Sequence, residues 1–290
     1  MVSRLPQPVV EVLRCPVCAD GLVAAAGVLR CPAGHSFDLA RQGYVNLLGG
    51  GASQADRTAR GADTAAMLDA RAGFLRAGHL DTVTAELTAV AQRVVAPDDV
   101  VVDAGAGTGH HLAAVLDAVP TAVGLALDRS RYAARRAAQA HERLGAVVWD
   151  TWRPWPVRDG IAGLVLDVFA PRNPAEFRRV LADHGAVVVV TPGADHLCEL
   201  TAAAGLLTVE AEKEARLDAV MSPHLVLEER SRHTARRALT REDVEHAAAM
   251  GPSAHHLDLD GLRRRLDALE LPLPTTISFV VSTYRPRGDG

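Results

Sequence analysis

Two groups of residues in this sequence have types and spacings suited to chemistry. Cys15, Cys18, Cys31 and His35 form C-x2-C, twelve intervening residues and C-x3-H, with Pro16, Pro32 and Gly34 supplying the turns. Zinc takes four sulfur or nitrogen ligands tetrahedrally, and two knuckles joined by a short hairpin, here Leu22 to Leu29, deliver that geometry. All four positions are filled by protein, so one structural Zn2+ per chain is expected, with no place left for a reactive water. Metal binding would supply much of this small module's folding free energy, on the order of 10 kcal/mol. The second group lies in Val100 to Leu112, VVVDAGAGTGHHL. A buried-strand pattern ends at Asp103, followed by Gly105, Gly107 and Gly109 and then a helical pattern. Alternate glycines let the backbone turn sharply and let a ligand lie on bare main chain, while the helix start offers free N–H groups. Asp103, Gly105, Ala106, Gly107, Gly109, His110 and His111 therefore read as a cofactor loop.

Acids at further strand ends narrow the cofactor. The pattern Ala122 to Leu127 ends in Asp128 and Arg129, about 20 residues past the loop, where a carboxylate can accept hydrogen bonds from two ribose hydroxyls. A third pattern, Ala146 to Trp149, ends in Asp150 and Thr151. A dinucleotide fingerprint reads G-x-G-x-x-G, whereas here the third glycine comes one residue early. The order D-x-G-x-G-x-G instead resembles motif I of the class I S-adenosylmethionine-dependent methyltransferases. That resemblance implies a loop passing under the methionine part of the cofactor, a leading acid that positions it, and Asp150 facing the adenine edge.

The elements that must hold these residues follow from periodicity. Asp63 to Leu75 and His79 to Val95 have helical spacing. Gly163 to Val168 reads as a strand, Pro174 to Ala182 as a helix and Gly185 to Val190 as a strand. Such alternation builds an α/β fold with a mostly parallel sheet and ligands at the carboxyl ends of its strands. Leu206 to Val209 and Ile277 to Thr283 also read as strands, matching the final antiparallel hairpin that the methyltransferase resemblance implies for a Rossmann-like, seven-stranded sheet. Gly49, Gly50, Gly51, Ala52 and Ser53 form a flexible connection by composition. The expected organisation is a zinc module over 1–48, a linker and helices over 49–95, and a methyltransferase domain over 96–290.

Composition bounds the remaining possibilities. The chain has 290 residues, 48% of them hydrophobic, enough to bury a sizeable core. No apolar run approaches a membrane span and the N-terminal residues lack a signal-peptide core, so a cytoplasmic protein is expected. Three clustered cysteines and a distant Cys198 suit a metal better than a disulfide framework. The net charge of −4 requires any nucleic acid to be held by a local patch. Lys213 is the only lysine, a bias that codon composition explains as well as phosphate binding does. Arg30, Arg41, Arg57, Arg60, Arg71 and Arg76 are the candidate phosphate contacts, although a solvated helix face would serve such residues too.

The zinc pattern followed by HSFDLARQGYVNLL, then the glycine loop, VFAPRNPAEFRRVL, TPGADHL and MGPSAHH, together resemble the 23S ribosomal RNA guanine-N1 methyltransferases of the RlmA and TlrB type over essentially the whole chain. This resemblance implies methyl transfer from S-adenosylmethionine to a guanine in the loop of hairpin 35 of 23S rRNA. VFAPRN and MGPSAHH favour the branch acting on guanine 748 over that acting on 745, with a role in resistance to tylosin-like macrolides. His255 and His256 would then lie on the target side. Asp167, at a strand end facing the methyl group in this fold, is the candidate base for the N1 proton, though a carboxylate there can equally cap the turn. A homodimer is left open. A small-molecule methyltransferase braced by the zinc module, or a non-catalytic zinc-containing RNA-binding protein, are the competing readings.

Overall fold

The computed structural model describes residues 5–49, 62–204, 213–251, 254, 259–267 and 270–287. Arg57, Arg60, His255, His256 and the expected strand Leu206 to Val209 lie outside them. At the centre is an eight-stranded sheet. Its apolar heart is β5 (Val100–Ala104) and β7 (Leu144–Val148), in which every residue is buried. Continuous apolar runs of this kind are what a parallel sheet covered on both faces requires. Between them lies β6 (Val123–Asp128), and on the other side of β5 come β8 (Ala162–Val168) and β9 (Leu181–Pro192), all in parallel register. The strand order reverses between β5 and β8, which opens a crevice at their carboxyl ends, the place where open α/β sheets bind ligands.

Helices cover the faces. Helix α2 (Ala65–Arg76) starts at Thr64, whose hydroxyl accepts the Met67 N–H, and it buries Met67, Leu68, Phe74 and Leu75. Helix α3 (Asp81–Val94) buries Val83, Leu87, Val90 and Ala91 on one stripe. Helix α4 (His110–Ala118) follows the glycine loop, and the Arg143 guanidinium donates to the carbonyls of Leu116, Val119 and Ala122, tying its end to β6. Helices α5 (Arg131–Ala137) and α6 (Pro174–Val180) follow β6 and β8. The sequence placed the end of α6 at Ala182, but β9 already begins at Leu181.

At one edge the sheet turns antiparallel. Among the described residues the hairpin's strands are β10 (Leu225–Leu239) and β11 (Leu273–Pro286), with β11 against β9. Between them lies α9 (Arg241–Ala249), whose Thr240 and Asp243 form a capping box. Helices α7 (Cys198–Ala204) and α8 (Lys213–Met221) precede β10, and α10 (Leu259–Leu266) precedes β11.

The N-terminal segment is fused to this body. Helix α1 (Gln7–Val12) lies against β7 so closely that a Cβ on Gly145 would stand 2.7 Å from Val9 Cγ1. Strands β1 (Val23–Ala25), β2 (Val28–Arg30) and β3 (Ser36–Asp38) make a separate antiparallel meander. Strand β4 (Tyr44–Asn46) then joins the main sheet beside β7, so there are eight strands where seven were expected, and the extra one comes from within the 1–48 segment. Leu13, Leu22 and Leu29 of this segment share one buried core with the sheet.

Candidate functional site

The meander presents Cys31 just after β2 and His35 just before β3, with the Cys31 amide donating to the His35 carbonyl at 3.1 Å. On the facing knuckle the Ala19 amide donates to the Cys15 carbonyl at 2.9 Å, folding Cys18 back toward Cys15. The four ligand atoms lie within 4.8 Å of one another. Cys18 Sγ is 3.6 Å from Cys31 Sγ, and His35 Nδ1 is 3.6 Å from Cys15 Sγ and 3.3 Å from Cys31 Sγ. A tetrahedron with zinc–sulfur bonds of about 2.3 Å has edges of about 3.8 Å, and slightly less where nitrogen replaces sulfur. The three printed separations are close to those edges, and the chemistry of the set, three thiols and an imidazole, is that of a zinc site. Because the surrounding leucines continue into the core of the sheet, stripping the metal is expected to lower the melting temperature of the whole protein by several degrees or more. Elemental analysis should find about one zinc per chain, falling to near zero in Cys31→Ser. An unchanged melting curve after chelation would mean that the metal supports nothing beyond its own knuckles.

The larger feature is a cavity of about 640 Å³ at the carboxyl ends of β5, β6 and β8. Pockets for cofactor-sized molecules fall in the range of about 300–1,000 Å³. Of the residues assigned to the cofactor from sequence, all but Gly109 line it. Gly105 turns at φ +81°, and its position is pressed by the next strand's loop: a Cβ there would stand 2.7 Å from the Ala170 Cβ. Gly109, at φ +76°, faces α5 instead, where a Cβ would stand 2.9 Å from Ala137 Cα. Its task is close packing of α4 on α5, and the ligand surface is made by its neighbours.

Two carboxylates stand behind this loop. Asp128 accepts the Gly107 amide at 2.9 Å through Oδ2 and the Ser130 amide at 2.8 Å through Oδ1, so it fixes the loop as well as facing the cavity. Burial pushes its pKa up to about 6 against these hydrogen bonds. Asp103 is 3% exposed, and burial together with the charge of Asp128 raises it to about 7. Such a pair is suited to a ligand that brings a positive charge. On the same wall Arg129 Nε is buried without a hydrogen-bond partner in the protein, a donor left for a ligand. His111 is held neutral, its pKa lowered to about 3 by burial and by His110, with Nδ1 3.0 Å from the Thr84 hydroxyl. Asp150 and Thr151 close the β7 end, and the exposed Trp152 stands beside them. Trp155 is buried, with its indole N–H on the Thr151 carbonyl at 3.0 Å, and has no ligand role.

Several sequence-level assignments change place. Asp167 is fully buried and is not on the cavity wall; it lies behind it, 3.6 Å from Arg172 Nε. Burial raises its pKa well above the usual range, and both carboxylate oxygens are buried without a hydrogen-bond partner among the described residues. Arg71 does not project to solvent as a phosphate contact, because Asp63 and the Met250 carbonyl hold its guanidinium beside Gly107 on the cavity wall. Arg30, Arg41 and Arg76 are exposed, as a backbone contact requires. Sequence reasoning missed the opposite wall: Ala247 and Met250 at the end of α9, Phe169 after β8, and His196 and Leu197 after β9. The motifs VFAPRN and TPGADHL contain three of these residues, but spacing alone assigns them no chemistry.

Residues 13–50 match the zinc-ribbon family described as RlmA, N-terminal. A 23S rRNA (guanine(748)-N(1))-methyltransferase of Streptomyces fradiae is 47% identical over 283 residues, covering 96% of this chain and 98% of that protein. A protein of Micromonospora griseorubida, provisionally named 23S rRNA (guanine-N(1)-)-methyltransferase, is 50% identical over 292 residues, covering 94% of this chain and 97% of that one. Among solved structures, a protein of Bacillus halodurans provisionally described as a methyltransferase superposes with a TM-score of 0.50 at 17% identity, over 70% of this chain and 99% of that one. That last likeness shows the fold alone.

Proposed function

The chain belongs to the 23S rRNA (guanine-N1) methyltransferase family, and from that premise we propose that it transfers the methyl group of S-adenosylmethionine to N1 of a guanine in hairpin 35 of 23S rRNA, guanine 748 in preference to 745. The observation that carries this reading is the cavity in which Asp103 and Asp128 face a glycine loop at the switch point of the sheet. When bound, the cofactor supplies an electrophilic methyl group on a sulfonium. Asp103 would take its ammonium group, the glycine loop would offer bare main chain under the methionine part, Asp128 would hold the ribose, and Arg129 and Asp150 would stand at the adenine end. The reaction asks mainly for position, with N1 about 3–3.5 Å from the methyl carbon. Because N1 is hidden in a paired base, the target nucleotide must leave its stack, which a hairpin loop makes cheap. Arg30, Arg41 and Arg76 contact RNA phosphates. The enzyme acts in the cytoplasm, and the methyl group contributes to resistance to tylosin-like macrolides. Incubation with a hairpin 35 transcript and cofactor carrying a labelled methyl group tests the reading: label should enter the RNA, and label entering only small molecules would overturn it.

The raised carboxyl groups give the cofactor complex a pH signature. Without ligand, folding favours their protonated forms, so their stabilising contribution is complete below about pH 4 and is lost as pH rises through about 6 and 7. A cationic cofactor favours the ionised forms, so its affinity should run the other way. Calorimetry from pH 7.5 down to 5.5 is expected to show binding weakening by up to about tenfold per unit for each proton taken up. Asp103→Asn should flatten that profile, and a wild-type affinity independent of pH would contradict the ammonium contact.

A further inference from the structure

Large aromatic side chains are mostly buried in folded proteins, and this chain keeps that rule with few exceptions. Among the described residues, which include every phenylalanine, tyrosine and tryptophan of the sequence, only Tyr132, Trp152 and Phe169 are exposed. Two of them, Trp152 and Phe169, line the cavity. Trp152 is the most open of the three, at 63%, whereas Trp149 and Trp155 on either side of it in sequence are buried.

The backbone that carries Trp152 is pinned on both sides. The Thr151 carbonyl accepts the Trp155 indole N–H and the Asn173 side-chain amide, each at 3.0 Å. The Asp150 carbonyl accepts the Arg153 amide at 2.9 Å, and the Asp150 carboxylate accepts the Trp152 amide at 3.2 Å. Asp150 to Arg153 is therefore a tight turn, and the turn holds the indole out from a fixed base. A few residues on, the same loop reaches the zinc module. Val157 bridges Leu13, and the Arg14 amide donates to the Pro156 carbonyl at 2.9 Å, one residue before Cys15. The loop that presents Trp152 thus runs from the cavity to the metal knuckles.

We propose that Trp152 is a stacking platform for an unpaired base of the RNA, the neighbour of the nucleotide that enters the cavity. The inference rests on RNA being the substrate. A nucleotide that leaves its stack uncovers the faces of the bases beside it, and a fixed indole at the cavity mouth replaces the lost neighbour. Stacking on aromatic side chains is the usual way in which splayed single-stranded RNA is held. Because every base has a π face, such a platform adds affinity without choosing sequence. The competing occupant is the adenine of the cofactor, and the placement of the ring argues against it. Side chains set within the cavity, such as Met67, Leu75 and Thr151, are at most 8% exposed, and Phe169 is 39% exposed. At 63% Trp152 belongs to the rim, with more open surface than a cavity wall provides.

The test is binding of a hairpin 35 transcript by the whole zinc-loaded protein saturated with S-adenosylhomocysteine, which fills the cofactor site without turnover. Trp152→Ala is expected to weaken RNA binding by roughly 5- to 150-fold, the range for one stacked base, with Trp152→Phe recovering much of the loss and Trp152→Leu little. Affinity for S-adenosylmethionine, measured by calorimetry without RNA, and the melting temperature should stay at wild-type values. Since the other two tryptophans are buried, the transcript should quench the emission of the wild type and barely change that of Trp152→Phe. Wild-type RNA affinity in Trp152→Ala, or equal quenching in Trp152→Phe, would overturn the proposal. So would a loss of S-adenosylmethionine affinity as large as the loss of RNA affinity, which would make Trp152 a cover for the adenine. If the unaltered protein binds no transcript, the reading of the substrate fails and the platform with it, a result read on the wild type alone and so distinct from the others.

Discussion

Gly105→Val is expected to weaken cofactor binding by at least about 30-fold in a protein that still folds. Gly105 donates its amide to the Leu127 carbonyl at 2.8 Å and turns at φ +81°, a conformation in which a β-branched side chain meets its own carbonyl. The added Cβ would also lie 2.7 Å from the Ala170 Cβ, in the loop that forms the facing wall. Left-handed backbone costs about 1–2 kcal/mol and overpacking about 1–3 kcal/mol, so the native loop is disfavoured by roughly 2–5 kcal/mol. The loop escapes by moving, and the movement fills the cavity. Converted to affinity, the loss runs from about 30-fold to several thousandfold. Calorimetry with S-adenosylmethionine, alongside a melting curve, checks it. Wild-type affinity in this variant would show that the cofactor lies elsewhere.

Asp128→Ala should come second in effect. The carboxylate has two duties, because the amides of Gly107 and Ser130 already depend on it and the two ribose hydroxyls would be added when the cofactor binds. Leaving such groups without a strong acceptor costs roughly 1.5–3 kcal/mol, or about 10- to 150-fold in affinity. Ser130 also accepts the Ala133 amide and donates to the Asp63 carbonyl at 2.7 Å, so the start of α5 keeps a hold without Asp128. The expected signature is therefore a loss of affinity larger than the loss of stability. Unchanged affinity would remove Asp128 from the ribose and leave it only as a loop brace.

What the sequence disclosed depended on how local each feature is. Cys15, Cys18, Cys31 and His35 are legible because a metal knuckle is set by spacing within a few residues of each cysteine. Asp103, Asp128 and Asp150 are legible because each follows an apolar run, and a strand buried on both faces ends where polarity returns. Strand β10 reads LVLEERSRHTARRAL and was missed, since an edge strand with one partner carries charge where a central strand carries valine. Three residues, Tyr44–Asn46, are too few to announce that they would join the main sheet. Asp167 ends an apolar run like the other acids, but it is fully buried beside Arg172 and does not line the cavity, a matter that spacing along one strand does not decide. Phe169, His196 and Met250 could not be found by pattern, because what joins them is the meeting of β8, β9 and α9 across the cavity.

The central claim is the transfer of one methyl group to N1 of one guanine. The most direct measurement exposes a 23S rRNA fragment containing hairpin 35 to the purified protein and S-adenosylmethionine, then compares nuclease fragments by mass spectrometry before and after. Reverse transcription locates the site, since a methyl group on N1 blocks the Watson–Crick edge. The predicted result is one added methyl on a single hairpin-loop guanine, with a stop at position 748. A methyl group on the ribose or another nitrogen, or an unmodified fragment despite measured cofactor binding, would contradict the account.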